Sequence, residues 1–248
     1  MSSAVARLRI FAGPNGSGKS TIKDVLPPQW LGIYVNADEI EKALRACGRL
    51  DLAGFGIKAD AVAGLPAFLQ QSRLLAQAGL LNAAQGISAQ GSEVRFGTVE
   101  VNSYYASVLA DFIRQQLLAA QVSFTFETVM SSDDKVEFMR KARAAGFRVY
   151  LYFVATEDPE INIARVQHRV RMGGHPVPQD KIISRYHRSL ELLADAVTHT
   201  DRAYIFDNSG HERVWVAEIT DGLDLELHAG HLPHWFAETS LWQLFSPD

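Results

Sequence analysis

The chain has a single cysteine, Cys47, in 248 residues. No intramolecular disulfide can form, so a secreted disulfide scaffold is excluded and a reducing cytoplasm is expected. No apolar run approaches the roughly 18 residues that a membrane span needs. The first residues, MSSAVARLRIFAG, lack the apolar core of a signal peptide. Neither a membrane partner nor a disordered tail is expected. Excess positive charge is also missing: 24 Lys and Arg stand against 28 Asp and Glu, a net charge of −4. A strongly basic nucleic-acid binder is therefore not expected. What remains is 47% hydrophobic and 21% charged, the composition of a globular chain with ample core material.

The charge is unevenly placed. Lys135 to Arg188 carries a net +6 and the remainder a net −10. Such a stretch can build an anion site, or simply solvate helix faces.

Short apolar runs alternate with helical spacing. Ala6–Ala12, Leu31–Val35, Val122–Glu127, Arg148–Ala155 and Ala203–Asp207 read as strands, with Val214–Thr220 and Asp224–Leu227 as possible additions. Gly18–Val25, Asp38–Ala46, Leu65–Leu81, Tyr104–Ala120, Ser132–Ala145, Asp158–Met172 and Pro178–Thr198 read as helices, and Pro233–Leu244 as a short aromatic one. The alternation predicts an α/β fold: a parallel sheet with helices on both faces, in one domain over 1–248. Residues 50–103 read as a mostly helical insertion or cap, and about 160–190 as a lid.

The strongest signal is Gly13-Pro14-Asn15-Gly16-Ser17-Gly18-Lys19-Ser20, followed by Thr21. It is the full GxxxxGK[ST] phosphate loop, between a predicted strand and a predicted helix. Its glycines free backbone N–H groups to surround phosphate oxygens, and Lys19 supplies a compact cation. Ser20 offers a hydroxyl to Mg²⁺. No LSGGQ and no strand ending in Asp-Glu accompany it, which argues against a transporter-type ATPase.

Asp38 follows the second strand, where a carboxylate can act as general base for an attacking hydroxyl. It can equally serve as the cap of helix 38–46. Asn36, an amide that cannot act as base, is left to substrate binding. Glu127 ends the third strand and can hold Mg²⁺ through water or bind substrate hydroxyls; the alternative is a solvated acid. Arg165 and Arg169 share a helix face, and Lys181, Arg185 and Arg188 form a second stripe beyond Gly173-Gly174-His175. These stripes suit a basic lid over a transferring phosphate, or else surface pairing with Glu157, Asp158 and Asp180. Asn208, in the turn after Asp207, is a candidate contact to the nucleotide base. His228, His231 and His234 read as a surface helix face rather than a metal site, and Cys47 as buried packing.

Together GPNGSGKST, NADEI, FETVMS, GFRVYLYFVATEDPEINIARV and RxxxGGHxVPxDKIxxRYxRSL resemble the zeta toxin family of P-loop kinases. The resemblance covers roughly half the chain. It implies an ATP- or GTP-dependent kinase with Mg²⁺, transferring the γ-phosphoryl group to a hydroxyl of a sugar nucleotide such as UDP-N-acetylglucosamine. It implies Asp38 as the catalytic carboxylate, Glu127 and Thr128 as a substrate-binding strand end, and Arg165 and Arg169 as lid cations. A separate antitoxin protein is the partner it implies. Val129-Met130 stands where some members carry a basic residue. A nucleotide-gated switch ATPase and a polynucleotide-end kinase are the alternative readings. The acidic balance, with no extended basic–aromatic groove in the sequence, argues against the end kinase.

Overall fold

The computed structural model describes residues 5–174 and 176–246. Met1 to Ala4 and His175, part of the lid motif, lie outside the described residues. The strands in chain order are β1 Arg7–Ala12, β2 Ile33–Val35, β3 Arg49–Asp51, β4 Ser88–Gln90 and β5 Glu93–Arg95. They continue with β6 Phe124–Thr128, β7 Arg148–Ala155, β8 Arg202–Asp207, β9 Val214–Thr220 and β10 Asp224–Leu227. The chain divides into two compact units, one of residues 1–31 and 125–248, the other of residues 32–124.

In the first unit the strands follow the order β10-β9-β8-β7-β1-β6. β1 and β8 both run parallel to β7, while β9 and β10 are antiparallel additions. The sheet is therefore mixed rather than wholly parallel. A short Asn-Ser-Gly turn after β8 permits a hairpin return, where a parallel neighbour would need a crossover. Leu8, Ile10, Val149, Leu151, Phe153, Ala203 and Ile205 are fully buried on one face. Each of these side chains larger than alanine contributes about 1.5–3 kcal/mol by leaving water.

The helices differ from the sequence expectation in four places. Lys19–Val25 is a 3-10 helix, not an α-helix, and Pro27-Pro28 follows at once. The expected single helix 178–198 breaks into Gln179–Glu191 and Leu193–Thr198, and the aromatic tail into His234–Ala237 and Ser240–Phe245. The expected helix 65–81 becomes three short ones, Leu65–Gln70, Arg73–Gln77 and Leu81–Ala84. Ser72 caps the second of these through Leu75 N at 3.3 Å, ending the run before it.

The second unit packs helix Ala37–Cys47 against helix Ser103–Ala119, burying Ile40, Leu44, Leu109 and Ile113. It also holds a small sheet ordered β3-β5-β4. Phe96 meets Tyr105 edge-on at 5.6 Å, and Tyr105 donates to Leu80 O at 3.1 Å. Burial pushes the Tyr105 hydroxyl above its ordinary pKa. Cys47 is exposed, contrary to the packing role expected for it; its thiol donates to Ala43 O at 3.1 Å at the helix end.

Candidate active site

The phosphate loop begins where β1 ends. Gly13, Gly16 and Gly18 have φ of +137°, +78° and +95°, a region open to glycine and costly for other residues. The loop is also pressed against its surroundings. A Cβ on Gly13 would stand 2.0 Å from Val154 O, and one on Gly16 2.6 Å from Asn162 O.

Two asparagines hold the loop backbone. Asn162 Nδ2 donates to Asn15 O at 2.6 Å, and Asn208 Nδ2 donates to Ser17 O at 2.7 Å. Carbonyls tied in this way cannot turn toward a bound anion, which favours a loop presenting N–H groups to it. Asn162 is fully buried, and its Oδ1 accepts from Thr156 Oγ1. Asn208, the expected contact to the nucleotide base, has its amide engaged with the loop. Asn162 was missed in the sequence, where its only signal is a polar residue on the apolar side of a helix.

Lys19 Nζ donates to Pro14 O at 2.8 Å, so its charge is folded onto the loop. Ser17 is buried, and its Oγ has no hydrogen-bond partner among the described residues. Ser20 is exposed, and its hydroxyl has no partner among the described residues. Thr21 Oγ1 donates to Gly18 O at 2.8 Å and accepts from Arg213 Nη1 at 2.7 Å. Arg213, also missed in the sequence, lies over the Phe206 ring at 5.5 Å.

Helix Pro159–Arg171 is capped by Asp158, whose Oδ1 accepts from Glu160 N at 2.7 Å. It packs on helix Gln179–Glu191 through Ile163, Val166 and Ile182. Arg165 Nη2 donates to Gly210 O at 3.4 Å, in the turn that carries Asn208. Arg185 Nη1, from the second stripe, reaches Asn15 Oδ1 at 3.4 Å. Arg169 is exposed on the first helix, and Gly174 fits against its backbone with N to O at 2.9 Å. The structure thus brings Arg185 to the phosphate loop and Arg165 to the neighbouring turn.

At the end of β6, Glu127 is half-buried. Thr128 is buried, and its Oγ1 accepts from Met130 N at 3.0 Å, steadying a backbone with φ +54° at Met130. Ser189 Oγ donates to Val129 O at 2.9 Å, fastening this strand end to helix Gln179–Glu191.

In the second unit, Asn36 and not Asp38 caps the helix. Asn36 Oδ1 accepts from Asp38 N at 2.8 Å and Glu39 N at 3.3 Å. The Asp38 carboxylate is left exposed in the first turn. Beside it, a cavity of about 220 Å³ is lined by Tyr34, Asn36, Glu39, Ile40, Leu50 and Phe55, among others. Asn36 Nδ2 is 3.4 Å from Tyr34 Oη.

The three C-terminal histidines do not share a helix. His228 stacks on Trp215 at 3.6 Å, while His234 opens a short helix near Glu157 and Glu238. No group of three or more metal-binding side chains occurs among the described residues. No helix among them is long and apolar enough to cross a membrane.

A parallel core whose interior strand runs into a glycine loop and helical turn defines a P-loop α/β protein. The zeta toxin family model matches residues 92–220, over half of the chain, and the chain belongs to that family. The solved structures it resembles share the fold. The chain aligns with AvrRxo1-ORF1:-ORF2 with ATP at a TM-score of 0.52 and 16% identity, covering 91% of this chain and 61% of that one. It aligns with the PezAT chromosomal toxin–antitoxin system of Streptococcus pneumoniae at 0.52 and 15%, covering 98% and 86%. An uncharacterized protein of Haemophilus influenzae is 34% identical over 65 residues, 26% of this chain and 46% of that protein. The chain thus spans less than half of that curated relative and about three-fifths of AvrRxo1-ORF1:-ORF2.

Proposed function

We propose that the chain is a cytoplasmic kinase that binds ATP or GTP at the phosphate loop and transfers the γ-phosphoryl group to a hydroxyl of a sugar nucleotide such as UDP-N-acetylglucosamine. The observation that carries this reading is the loop itself. Three left-handed glycines, two carbonyls tied away by Asn162 and Asn208, and the cation of Lys19 form an anion cradle. The ATP named for AvrRxo1-ORF1:-ORF2, a protein of the same fold, supports ATP as the ligand.

The residues also fit Mg²⁺, because the exposed Ser20 hydroxyl, beside the lysine of the motif, has no partner among the described residues. When bound, the ion would neutralise charge on the β- and γ-phosphate oxygens. The chain's own groups do the rest. Loop amides from Gly13 to Thr21 orient the triphosphate, and Lys19 moves from Pro14 O to a phosphate oxygen. Arg165 and Arg169 add positive charge from the lid. Asp38 orients the acceptor hydroxyl and takes its proton; its carboxylate is available because Asn36 does the capping. Glu127 and Asn36 bind acceptor hydroxyls, with Thr128 setting the strand end that presents Glu127. The cavity beside Asn36 is smaller than the roughly 300–1,000 Å³ of a typical ligand pocket, so it suits the sugar and not the whole sugar nucleotide. A separate antitoxin is the proposed protein partner, supported by the toxin–antitoxin system named for the Streptococcus pneumoniae structure.

The test is incubation with Mg-ATP and a panel of sugar nucleotides, read by mass spectrometry. A product heavier by one phosphoryl group, absent with Lys19→Ala, is expected. ADP release that no acceptor stimulates would replace this reading with a nucleotide-gated switch.

A further inference from the structure

Strand pairing assembles a surface that no stretch of sequence displays. Arg7 pairs with Arg148 and Arg9 with Tyr150 across β1 and β7. Tyr150 pairs with Arg202 and Tyr152 with Tyr204 across β7 and β8. Paired residues of adjacent strands project to the same side of a sheet, and side chains alternate along each strand. Arg7, Arg9, Arg148, Tyr150, Arg202 and Tyr204 therefore share one face of the sheet, at the amino ends of the strands; further along that face Phe11, Tyr152 and Val154 are buried. None of these three strands places an acidic residue there.

Arg7, Arg148 and Arg202 are exposed at the amino ends of their strands. Arg9 lies deeper, 7% exposed, with its guanidinium 5.2 Å from the Tyr150 ring centre and 5.8 Å from that of Trp30. It donates to Trp30 O, but its buried Nε has no partner, and it pairs with no carboxylate among the described residues. Arg202 meets an acid from the next strand, Glu218, at 2.7 Å. A buried cation without a counter-charge makes its surroundings attractive to anions. Aromatic surface flanks the arginines: Trp30 is 51% and Trp215 38% exposed.

β1, β7 and β8 are all interior strands, so they offer no free backbone edge to an extended peptide. A ligand on this face must be held by side chains alone. Guanidinium forks match phosphate oxygens, and rings on an open sheet face carry unpaired bases. We propose that this face binds single-stranded nucleic acid, with Arg7, Arg148 and Arg202 on phosphates and Tyr150, Tyr204, Trp30 and Trp215 against bases. The site is separate from the phosphate loop. That loop lies at the carboxyl end of β1, about five residues or roughly 17 Å beyond Arg7.

The experiment is fluorescence anisotropy of the full chain with labelled oligothymidylate and oligouridylate of about 15 nucleotides, a length that spans one sheet-type site. Binding that weakens with salt is expected. The double variant Arg7→Glu/Arg148→Glu should raise Kd at least about tenfold and flatten the log–log salt slope by roughly 1.4, two phosphate contacts' worth. Its melting temperature should match the parent, because both side chains are exposed; Arg148→Gln, a milder change, should give a smaller loss of the same sign. Lys19→Ala should bind oligonucleotide like the parent, which separates this site from the kinase reading. Three outcomes would overturn the proposal: no binding at low salt, binding indifferent to the arginine changes, or binding lost with Lys19→Ala alone. Stronger binding of polyglutamate than of oligonucleotide would assign the face to an acidic protein and overturn it too.

Discussion

Asn162 supports Asn15 across 147 residues of sequence: its buried amide donates to the Asn15 carbonyl at 2.6 Å while its other end accepts from Thr156. Replacing it by alanine removes both bonds, leaving the Asn15 carbonyl without this donor and Thr156 Oγ1 with only Asp158 O, at 3.3 Å. Asn162→Ala should cost about 1–3 kcal/mol of stability and weaken ATP binding at least about tenfold. Urea denaturation and calorimetric titration measure the two effects. Lost stability with unchanged ATP affinity would dismiss Asn162 as a positioning residue.

Asn36 and Asp38 should separate cleanly. Asn36→Ala removes a cap and should cost about 1 kcal/mol. Asp38→Ala removes an exposed carboxylate and should leave stability within about 0.5 kcal/mol. Turnover in Asp38→Ala should fall by about 10²-fold or more with nucleotide binding retained. Full activity in that variant would take Asp38 out of the mechanism.

Stability should decline at alkaline pH. Burial, reinforced by neighbouring Tyr204, pushes the Tyr152 hydroxyl up to about 12 from 10.0, against the opposing pull of Arg9. Burial and nearby carboxylates raise Tyr186 as well, and its hydroxyl donates to Thr156 O at 2.7 Å. A raised pKa means the folded state holds the proton more tightly. The contribution is fully present below pH 10 and is lost as pH rises through the folded value. Each such tyrosine adds a slope of up to about 1.4 kcal/mol per pH unit. Denaturation midpoints from pH 9 to 12, followed with tyrosinate absorbance, test this. Tyr186→Phe should flatten the decline while lowering stability at neutral pH.

Cys47 should react with a thiol reagent in the native protein as readily as in the unfolded one, without changing the melting curve. Its exposure at a helix end predicts this. Protection until unfolding would contradict the structure.

Much of the first unit is legible in its residues. β7 announces itself as an eight-residue apolar run, and the glycine loop by a motif whose every position has a steric or electrostatic duty. In the second unit the helices Ala37–Cys47 and Ser103–Ala119 are legible, but the small sheet is not, because its three-residue strands β3, β4 and β5 are shorter than any periodicity can reveal. Helix 65–81 was over-read because leucine spacing persists across Ser72 and Gly79, where the backbone turns. The cap at Asn36 is not legible because Asn36 and Asp38 are both good capping residues two positions apart, and only backbone conformation separates them. The supports of the phosphate loop, Asn162 and Arg213, and the arginine face need strand order and register, which a linear reading does not supply.

The first unit is discontinuous: β1 pairs with β7, and the loop that follows β1 rests on Asn162 and Asn208. A ribosome must therefore have made the chain through Asn208 before the second of these props emerges. Nascent chains interrupted earlier hold the motif's letters without its clasp, so fragments released prematurely are expected to be inert.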